Sequence, residues 1–519
     1  MTGARGSGVR LAELVGALSL AVDLGLGQPM EHVARSCLIA CRLGSRIGLD
    51  EEERAALYYT ALLGWVGCIA DSHDAAKWFG DDIDYRAGVF DVDTAPLPFL
   101  GYLVRRAGTN DPPVRRAGAK AVVSVTGAGA LKETLRSHCQ VTAAIARRLG
   151  LGSDVCGPLE QIFARWDGRG LPAGLSGARI ATAVRLWHVA DVTEVHHRHG
   201  GLDAALKVAA ERSGGHFDPA VVTEFTGCAG DLFAALPDGS GWDDLVAAEP
   251  ALRPELTETE LDTALEVFAD YADLKSPYLR GHSRGVSALA AAAAERLGAD
   301  AVLVRRAALV HDLGRIGVPN TIWDKPGPLT AAERERVRLC PHYTDRMLAR
   351  QPVLASIGAV AALAHERLDG SGHHRGLPAA AIPVPARILA AADCYHAMTE
   401  PRPHRDALTP SAAAAELRAE ASAGRLDASA VDAVLACAGH RPPRRPAGPA
   451  GLTPREADVL ALLARGASNR QIARRLGISP KTAGNHIEHI YAKTGVSTRA
   501  AATLFAMENG LLDHGPAMG

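Results

Sequence analysis

The chain has 519 residues, 47% of them hydrophobic, enough for about three domains of ~100–200 residues each. Aromatic residues make up only 5%, so the cores must be built from Ala, Leu and Val, which favours helices and predicts an all-α protein. Nine scattered cysteines without a C-x-x-C pair exclude a secreted disulfide framework and point to a reducing cytoplasm, and the net charge of −2 divides unevenly: from Arg441 onward 11 Lys+Arg face 5 Asp+Glu, or +6, leaving −8 for the rest.

At the amino-terminal end, Arg5 and Arg10 precede LAELVGALSLAV in the manner of a signal peptide, but Glu13 interrupts the apolar stretch. A helix docked on the first domain is the expectation. The longest other apolar run, Leu57 to Ala70, is 14 residues, short of the ~20 needed to span a bilayer, so a cytoplasmic protein without a membrane partner is expected.

The next segments repeat. MEHVARSCLIACRLGSRIGLD from Met30 aligns with LRGHSRGVSALAAAAAERLGAD from Leu279, pairing His32 with His282 and Gly48 with Gly298. RWDGRGLPAGLSGARIATAVRLWHVAD (Arg165 to Asp191) aligns without gaps on RLDGSGHHRGLPAAAIPVPARILAAAD (Arg367 to Asp393). Two matches in the same order imply a duplicated domain. The copies are placed at residues 9–235 and 260–438, with a turn-rich linker at 236–259. A Pro/Gly/Arg-rich tether follows at 439–450 and a last domain at 451–519. Both copies read as helical. Thr330 followed by Glu333 has capping-box spacing, and loops around Gly370 and Gly376 break the pattern.

In the second copy His282, the pair His311-Asp312 and the distant Asp393 can converge from separate helices on one divalent cation. Imidazole supplies neutral nitrogen and carboxylate supplies anionic oxygen, with Asp312 able to bridge to a second ion. Such a site polarises a phosphoryl oxygen and acidifies water, the chemistry of phosphoester hydrolysis. His365-Glu366 and the Cys340/His342 region are further candidates. Arg315, four residues after His311, can neutralise a phosphate. Singly, each residue is most simply a hydrogen-bonded structural side chain among 20 histidines; the ordered set carries the reading. Two or three imidazoles with carboxylates suit Fe, Mn, Zn or Ni better than hard Mg or Ca.

The text VRRAALVHDLGRIGVPNTIWDKPGPLT, followed by AHERLDGSGHHRGLPAAAIPVPARILAAADCYHAMTEPRPHRDAL, resembles the HD-GYP branch of the HD metal-dependent phosphohydrolases over about 160 residues. The resemblance implies a helical domain acting on cyclic di-GMP or a related phosphoester. It implies metal ligation by His282, His311, Asp312 and Asp393, with His365 and Cys340 as weaker ligands, and catalytic roles for Asp312 and Arg315. The chain departs from the family at Cys340-Pro341, where a His is usual, at Ala364-His365 for paired histidines, and at Gly372-His373-His374 for Gly-Tyr-Pro. Arg315 stands where the family has Lys and cannot donate a proton at neutral pH. One metal ion and slow or absent catalysis are therefore expected. In the first copy Gly64-Trp65 replaces His311-Asp312 and Phe163 replaces His365. It keeps His32, Asp191 and Gly170-Leu171-Pro172 and reads as degenerate.

The last domain punctuates itself. Thr453-Pro454 with Glu456 starts a helix that Gly466 stops, and Ser468 starts a second that Gly477 breaks. Ser479-Pro480 starts a third, with Ile487, Ile490 and Tyr491 for its inward side. Two short helices joined by a glycine turn can place the second in a major groove. Lys481, Thr482, Asn485 and His486 occupy its first turns, where Asn can pair bidentately with adenine. Ser468 and Ser479 with nearby amides can grip phosphate, and Asn469 and Lys493 complete the candidate contact set for double-stranded DNA. The basic charge of the segment is the footprint of polyanion binding. Its sixty residues resemble the LuxR-type helix-turn-helix of bacterial transcription factors, departing at Ala483 and Thr494, where larger aliphatics are usual. Leu504, Phe505, Leu511 and Leu512 in the closing helix are either a homodimer interface, as is common in that family, or a cover for the helix-turn-helix core.

The leading expectation is a transcription regulator whose HD region senses, and in some measure hydrolyses, a nucleotide second messenger. The alternatives are a metal-dependent phosphodiesterase with an accessory DNA-binding tail, and a pair of inactive HD scaffolds serving dimerisation.

Overall fold

The computed structural model of the chain describes residues 6–109, 111–237, 241–250, 255–439 and 449–512. Among them every regular element is a helix, and extended pairing is confined to isolated bridges such as Asp369 with Pro378. The all-α class required by the Ala- and Leu-rich composition is the class adopted. Parts of the expected linker (238–240 and 251–254) and most of the expected tether (440–448) lie outside the described residues. No described helix is long and apolar enough to cross a membrane.

The chain divides into two compact units, Met1–Ala264 and Leu265–Gly519. The first opens with α1 (Leu11–Gly25), buried along nearly its whole length. Glu13, the residue that interrupts the signal-like stretch, turns back to accept the Arg10 backbone N–H at 2.8 Å and so closes the start of the helix. Then come α2 (His32–Arg46) and α3 (Glu51–Leu63), the latter closed by a reciprocal Asp50–Glu53 capping box. They are followed by α4 (Pro113–Arg148), α5 (Thr182–Arg212, interrupted at Gly200–Gly201) and α6 (Pro219–Ala234). Leu38, Ile39 and Leu43 of α2 meet Leu57 of α3, Leu186 and Val189 of α5 and Phe225 of α6 in one buried core.

The second unit begins inside α7 (Glu258–Asp273) and continues with α8 (His282–Leu297), α9 (Ala301–Val310), α10 (Pro352–Ala361), α11 (Val384–Met398) and α12 (Ala428–Cys437). The helix α8 packs on α9, α11 and α12. Its buried Ala290, Ala293 and Ala294 let the neighbouring helices approach closely.

The two segments paired in the sequence enter their helices alike. Helices α2 and α8 are each entered through a left-handed residue, Glu31 at φ 78° and Gly281 at φ 80°. An aspartate nine residues before each helix's first histidine then caps the second amide. Asp23 accepts the Val33 N–H at 2.9 Å, and Asp273 accepts the Ser283 N–H at 3.0 Å. Glycine takes this conformation freely, whereas Glu31 holds it at a cost of roughly 1–2 kcal/mol.

The carboxy-terminal helices of the second unit are α13 (Pro454–Ala464), α14 (Asn469–Leu476), α15 (Pro480–Thr494) and α16 (Arg499–Glu508). Their caps are Thr453, Ser468, Ser479 and Thr498, each side chain accepting an amide three residues on. Left-handed Gly477 and Gly495 end α14 and α15. Ile472, Ala483, Ile487, Ile490 and Leu504 fill the interior; Ala483 is fully enclosed, so its small side chain suits its place.

Five of the six tryptophans, all but Trp323, belong to the first unit, so indole fluorescence reports mainly on its unfolding. Phe225→Ala removes a fully buried ring and is expected to destabilise that unit by about 3–5 kcal/mol, read as a lower urea midpoint. An unchanged midpoint would contradict the core described above.

Candidate metal centre and nucleic-acid interface

In the second unit the first residue of α8, the end of α9 and the middle of α11 bring three acid–base groups together. His282 Nε2 lies 3.2 Å from Asp393 Oδ1 and 3.6 Å from Asp312 Oδ2. His311 Nε2 lies 3.6 Å and 3.5 Å from the same two oxygens. His365 completes the ring, with Nε2 3.7 Å from Asp312 Oδ1 and Nδ1 3.5 Å from Asp393 Oδ2. Ligands about 2.1 Å from a shared ion stand about 3–3.5 Å from one another, so the spacing is that of a coordination shell. His282 Nε2, His311 Nε2, Asp312 Oδ1 and Asp393 Oδ1 are buried without a hydrogen-bond partner among the described residues. Buried polar atoms left in that state are costly unless something cationic satisfies them. This donor set fits a divalent transition metal.

The imidazoles are aimed. The His282 Nδ1 lies 2.8 Å from Glu400 Oε2, and the His311 Nδ1 lies 2.7 Å from the Ala308 carbonyl. Acceptors at both Nδ1 atoms keep the proton there and turn the Nε2 lone pairs inward. Burial works against charge on His282, but Glu400 and Asp393 outweigh it and lift its pKa to about 10. Burial likewise opposes ionisation of Asp312 and Asp393, yet Arg315 and His311 hold the first well below the usual carboxylate range, and His282 and His311 do the same for the second. Metal binding at this centre would therefore displace a proton.

Arg315 places Nε 2.6 Å from Asp312 Oδ2, and its guanidinium lies 4.7 Å from the centre of the Trp323 ring. Cys340 is buried nearby, and burial pushes its thiol up to about 12. It is not in the three-ligand group His282–His311–Asp393. His342 lies against His374, with ring centres 5.5 Å apart, while His373 stacks on His365 at 5.2 Å. Glu366 holds the intervening loop by accepting the Arg375, Gly376 and Leu377 amides. Sequence reasoning missed Glu400, which lies past the end of α11, and His396, which joins it at 3.3 Å. Arg402 also binds Glu400, at 2.9 Å, and a guanidinium there disfavours a second cation between Glu400 and His396.

The first unit answers the same layout differently. The Trp65 indole N–H donates to both Asp191 oxygens, at 3.1 and 3.0 Å, and its ring packs among Phe90, Phe163, Trp187 and His138. His32 Nε2 faces Asp191 at 3.3 Å and its Nδ1 faces Glu194 at 2.6 Å. Burial lowers the His32 pKa, but bonding to Asp191 and Glu194 raises it further, to about 10. An indole and a protonated imidazole thus satisfy the carboxylates in this unit.

In the carboxy-terminal helices, Ser468, Asn469, Ser479, Lys481, Thr482 and Asn485 are exposed, and His486 is half-buried. Ser479 Oγ lies 2.8 Å from Thr482 Oγ1 besides capping α15. Lys493 instead reaches Glu456 Oε2 at 2.7 Å and the Gly451 carbonyl at 3.2 Å. Exposed Arg470, Arg474 and Arg475 on α14 add positive charge that the candidate set omitted. Leu511 and Leu512, expected in the closing helix, lie past its end at Glu508, beyond left-handed Gly510; Leu504 and Leu512 are buried within the chain, whereas Phe505 and Leu511 are partly exposed.

Residues 266–430 match the family model for the HD domain, and residues 450–506 match that for bacterial regulatory proteins of the luxR family. A 3'3'-cGAMP-specific phosphodiesterase of Vibrio cholerae is 30% identical over 410 residues, spanning 77% of this chain and 88% of that protein. The cyclic di-GMP phosphodiesterase response regulator RpfG of Xanthomonas campestris is 40% identical over 156 residues, 29% of this chain and 41% of its own length. A crystal structure of a cyclic GMP-AMP specific phosphodiesterase of V. cholerae superposes with a TM-score of 0.59 at 27% identity, covering 84% of this chain and 99% of that one.

The His32 ion pairs set a pH dependence for the first unit. A folded pKa of about 10 against the ordinary 6.5 means that their stabilisation is complete below pH 6.5 and is lost as pH rises toward 10. The urea midpoint of the first unit is expected to fall across that window, and to fall less in His32→Gln. Equal slopes in the two proteins would contradict the charge assignment.

Proposed function

The chain belongs to the HD-GYP branch of the HD metal-dependent phosphohydrolases and carries a LuxR-type helix-turn-helix domain; from that premise we propose a DNA-binding transcription regulator whose second HD domain uses a single divalent transition metal to recognise a cyclic dinucleotide. Cyclic GMP-AMP and cyclic di-GMP are the favoured ligands, by analogy with the phosphodiesterases it resembles. The observation that carries the one-metal reading is Arg315 Nε at 2.6 Å from Asp312 Oδ2, the carboxylate expected to bridge to a second ion.

His282, His311, Asp312 and Asp393 would hold the ion, with His365 closing the shell. When bound it supplies Lewis-acid character toward a phosphoryl oxygen. Glu400 and the Ala308 carbonyl fix the two imidazoles, and Arg315 contributes a cation that cannot lose its proton and can pair with a phosphate oxygen. Cys340, with its thiol pushed up to about 12, stays protonated at neutral pH and is a weak ligand. Lacking half of a two-ion clamp, the centre should bind the dinucleotide better than it cleaves it. The first HD domain, its centre filled by Trp65, serves as a structural or sensory partner. A second reading, a working phosphodiesterase with an accessory DNA-binding tail, draws on the 88% coverage of the cGAMP-specific relative.

Metal analysis of the purified protein is expected to give one transition-metal ion per chain, in the cytoplasmic setting that its unpaired cysteines suit. Asp312→Ala should lose the ion, while Asp191→Asn in the first unit should keep it. Two ions per chain, or metal retained without Asp312, would overturn the assignment. Turnover of cyclic GMP-AMP at a rate matching the phosphodiesterases it resembles would favour the second reading.

Duplex DNA affinity should fall steeply with salt, and Lys481→Ala should reduce the log–log slope by about 1. Asn485→Ala should relax sequence preference by about 1–3 kcal/mol at one base pair. A flat salt plot would defeat the DNA-binding assignment. Homodimerisation through the closing segment would rest on Phe505 of α16 and on Leu511 just past its end, and a monomer by light scattering on operator DNA would exclude it.

A further inference from the structure

The segment 276–282 connects α7 to α8 and ends on the metal-site residue His282. Its inner side is anchored at Ser276 and tied at Tyr278 to the residues behind His282. Ser276 Oγ donates to Asp324 at 2.6 Å, and the Tyr278 carbonyl accepts from Arg402 at 2.5 Å. Arg402 in turn holds Glu400 at 2.9 Å, and Glu400 holds His282 Nδ1. The other side of the same strap meets the helix-turn-helix domain. A side chain on Gly466, the turn that ends α13, would come within 3.0 Å of Pro277 Cβ, and one on Gly281 would come within 3.4 Å of Leu512 Cβ and Cδ1. Both glycines have positive φ, 84° and 80°, so a larger residue at either position is strained, and at Gly466 it would also crowd Pro277. Leu512 is 5% exposed, and its carbonyl accepts from Arg465 at 2.5 Å, which binds the docked residue into its own domain. Lys481, Thr482 and Asn485 remain exposed, so this docking leaves the groove-reading residues uncovered.

We infer that the strap 276–282 is the joint through which occupancy of the metal centre and seating of the helix-turn-helix domain are coupled. The inference rests on the regulator reading above and adds its route. A ligand on His282 fixes the imidazole, and through it Glu400, Arg402 and the Tyr278 carbonyl. The strap position set in this way determines how Pro277 and Gly281 receive Gly466 and Leu512. By linkage, whatever factor the metal imposes on DNA affinity, DNA imposes on metal affinity.

The test uses the full chain, Mn2+ as the metal probe and a generic duplex as the DNA probe, at fixed salt. Metal-loaded and chelator-treated wild type should differ in DNA Kd by roughly fivefold or more. Leu512→Ala and Pro277→Gly lie on opposite sides of the contact and outside the metal shell. Each should keep its metal and its DNA binding while losing that difference. Because Leu512→Ala risks unfolding the small domain, Pro277→Gly carries the test alone if it does. Hydrogen exchange of the wild type should show metal altering protection of 276–281 and of 508–512 together. A full metal-dependent difference retained in a folded variant, or protection changing on one side only, overturns the coupling. Wild type that binds both probes without mutual effect overturns it too and leaves the regulator reading standing, whereas wild type that binds no DNA in either state defeats both.

Discussion

Each of the two units is built around a buried aspartate facing a buried histidine, and buried carboxylate charge has to be answered. In the first unit Asp191 receives two bonds from the Trp65 indole and faces a His32 whose pKa stands near 10. In the second unit Asp393 and Asp312 meet His282, His311 and His365, with Arg315 on one oxygen, and several polar atoms still lack a hydrogen-bond partner among the described residues. The helices α2 and α8 are entered alike, through a left-handed residue with an aspartate cap behind it. What differs is how charge is neutralised. An indole and a proton close the first centre, while the second keeps a geometry that a divalent ion would complete.

The histidine in each domain is also oriented from behind. His32 Nδ1 has Glu194, three residues after Asp191, and His282 Nδ1 has Glu400, seven residues after Asp393. The same contact is made from different positions, so the alignment of the two copies could not reveal it. A helix turns about 100° per residue, and Glu194, one turn after Asp191 on α5, shares its face; Glu400 lies beyond α11 and is delivered by the following turn. Each carboxylate is itself gripped by arginine, Arg35 and Arg198 in one case and Arg402 in the other.

Local chemistry was legible where local chemistry decides. The caps at Thr330, Thr453, Ser468 and Ser479, the glycine stops at Gly466 and Gly477, and the pairing of His32 with His282 could all be read from spacing, because each depends on residues within a turn or on direct repetition. The convergence of His282, His311 and Asp393 was inferred from their order, and the helices deliver it. Partners distant in sequence were not legible. Trp65 could be seen to replace Asp312, but not to donate to Asp191, 126 residues away. Lys493 belongs by composition to a DNA-facing set, yet packing brings it to Glu456, 37 residues earlier, where an ion pair answers its charge within the domain.

The exchange of lysine for arginine in the His-Asp-x-x-Arg stretch gives the second centre a particular character. A lysine in a buried acidic site can shed its proton and make way for an ion; a guanidinium cannot. Stacked against Trp323 and paired with Asp312, Arg315 is a permanent cation whose presence does not vary with metal supply or with pH across the physiological range. On the one-metal reading only the remaining position exchanges, so occupancy rises with metal concentration as a single independent site. That is a poor basis for rapid phosphodiester cleavage and a suitable one for a graded signal to a DNA-binding domain that rests on the strap leading into His282.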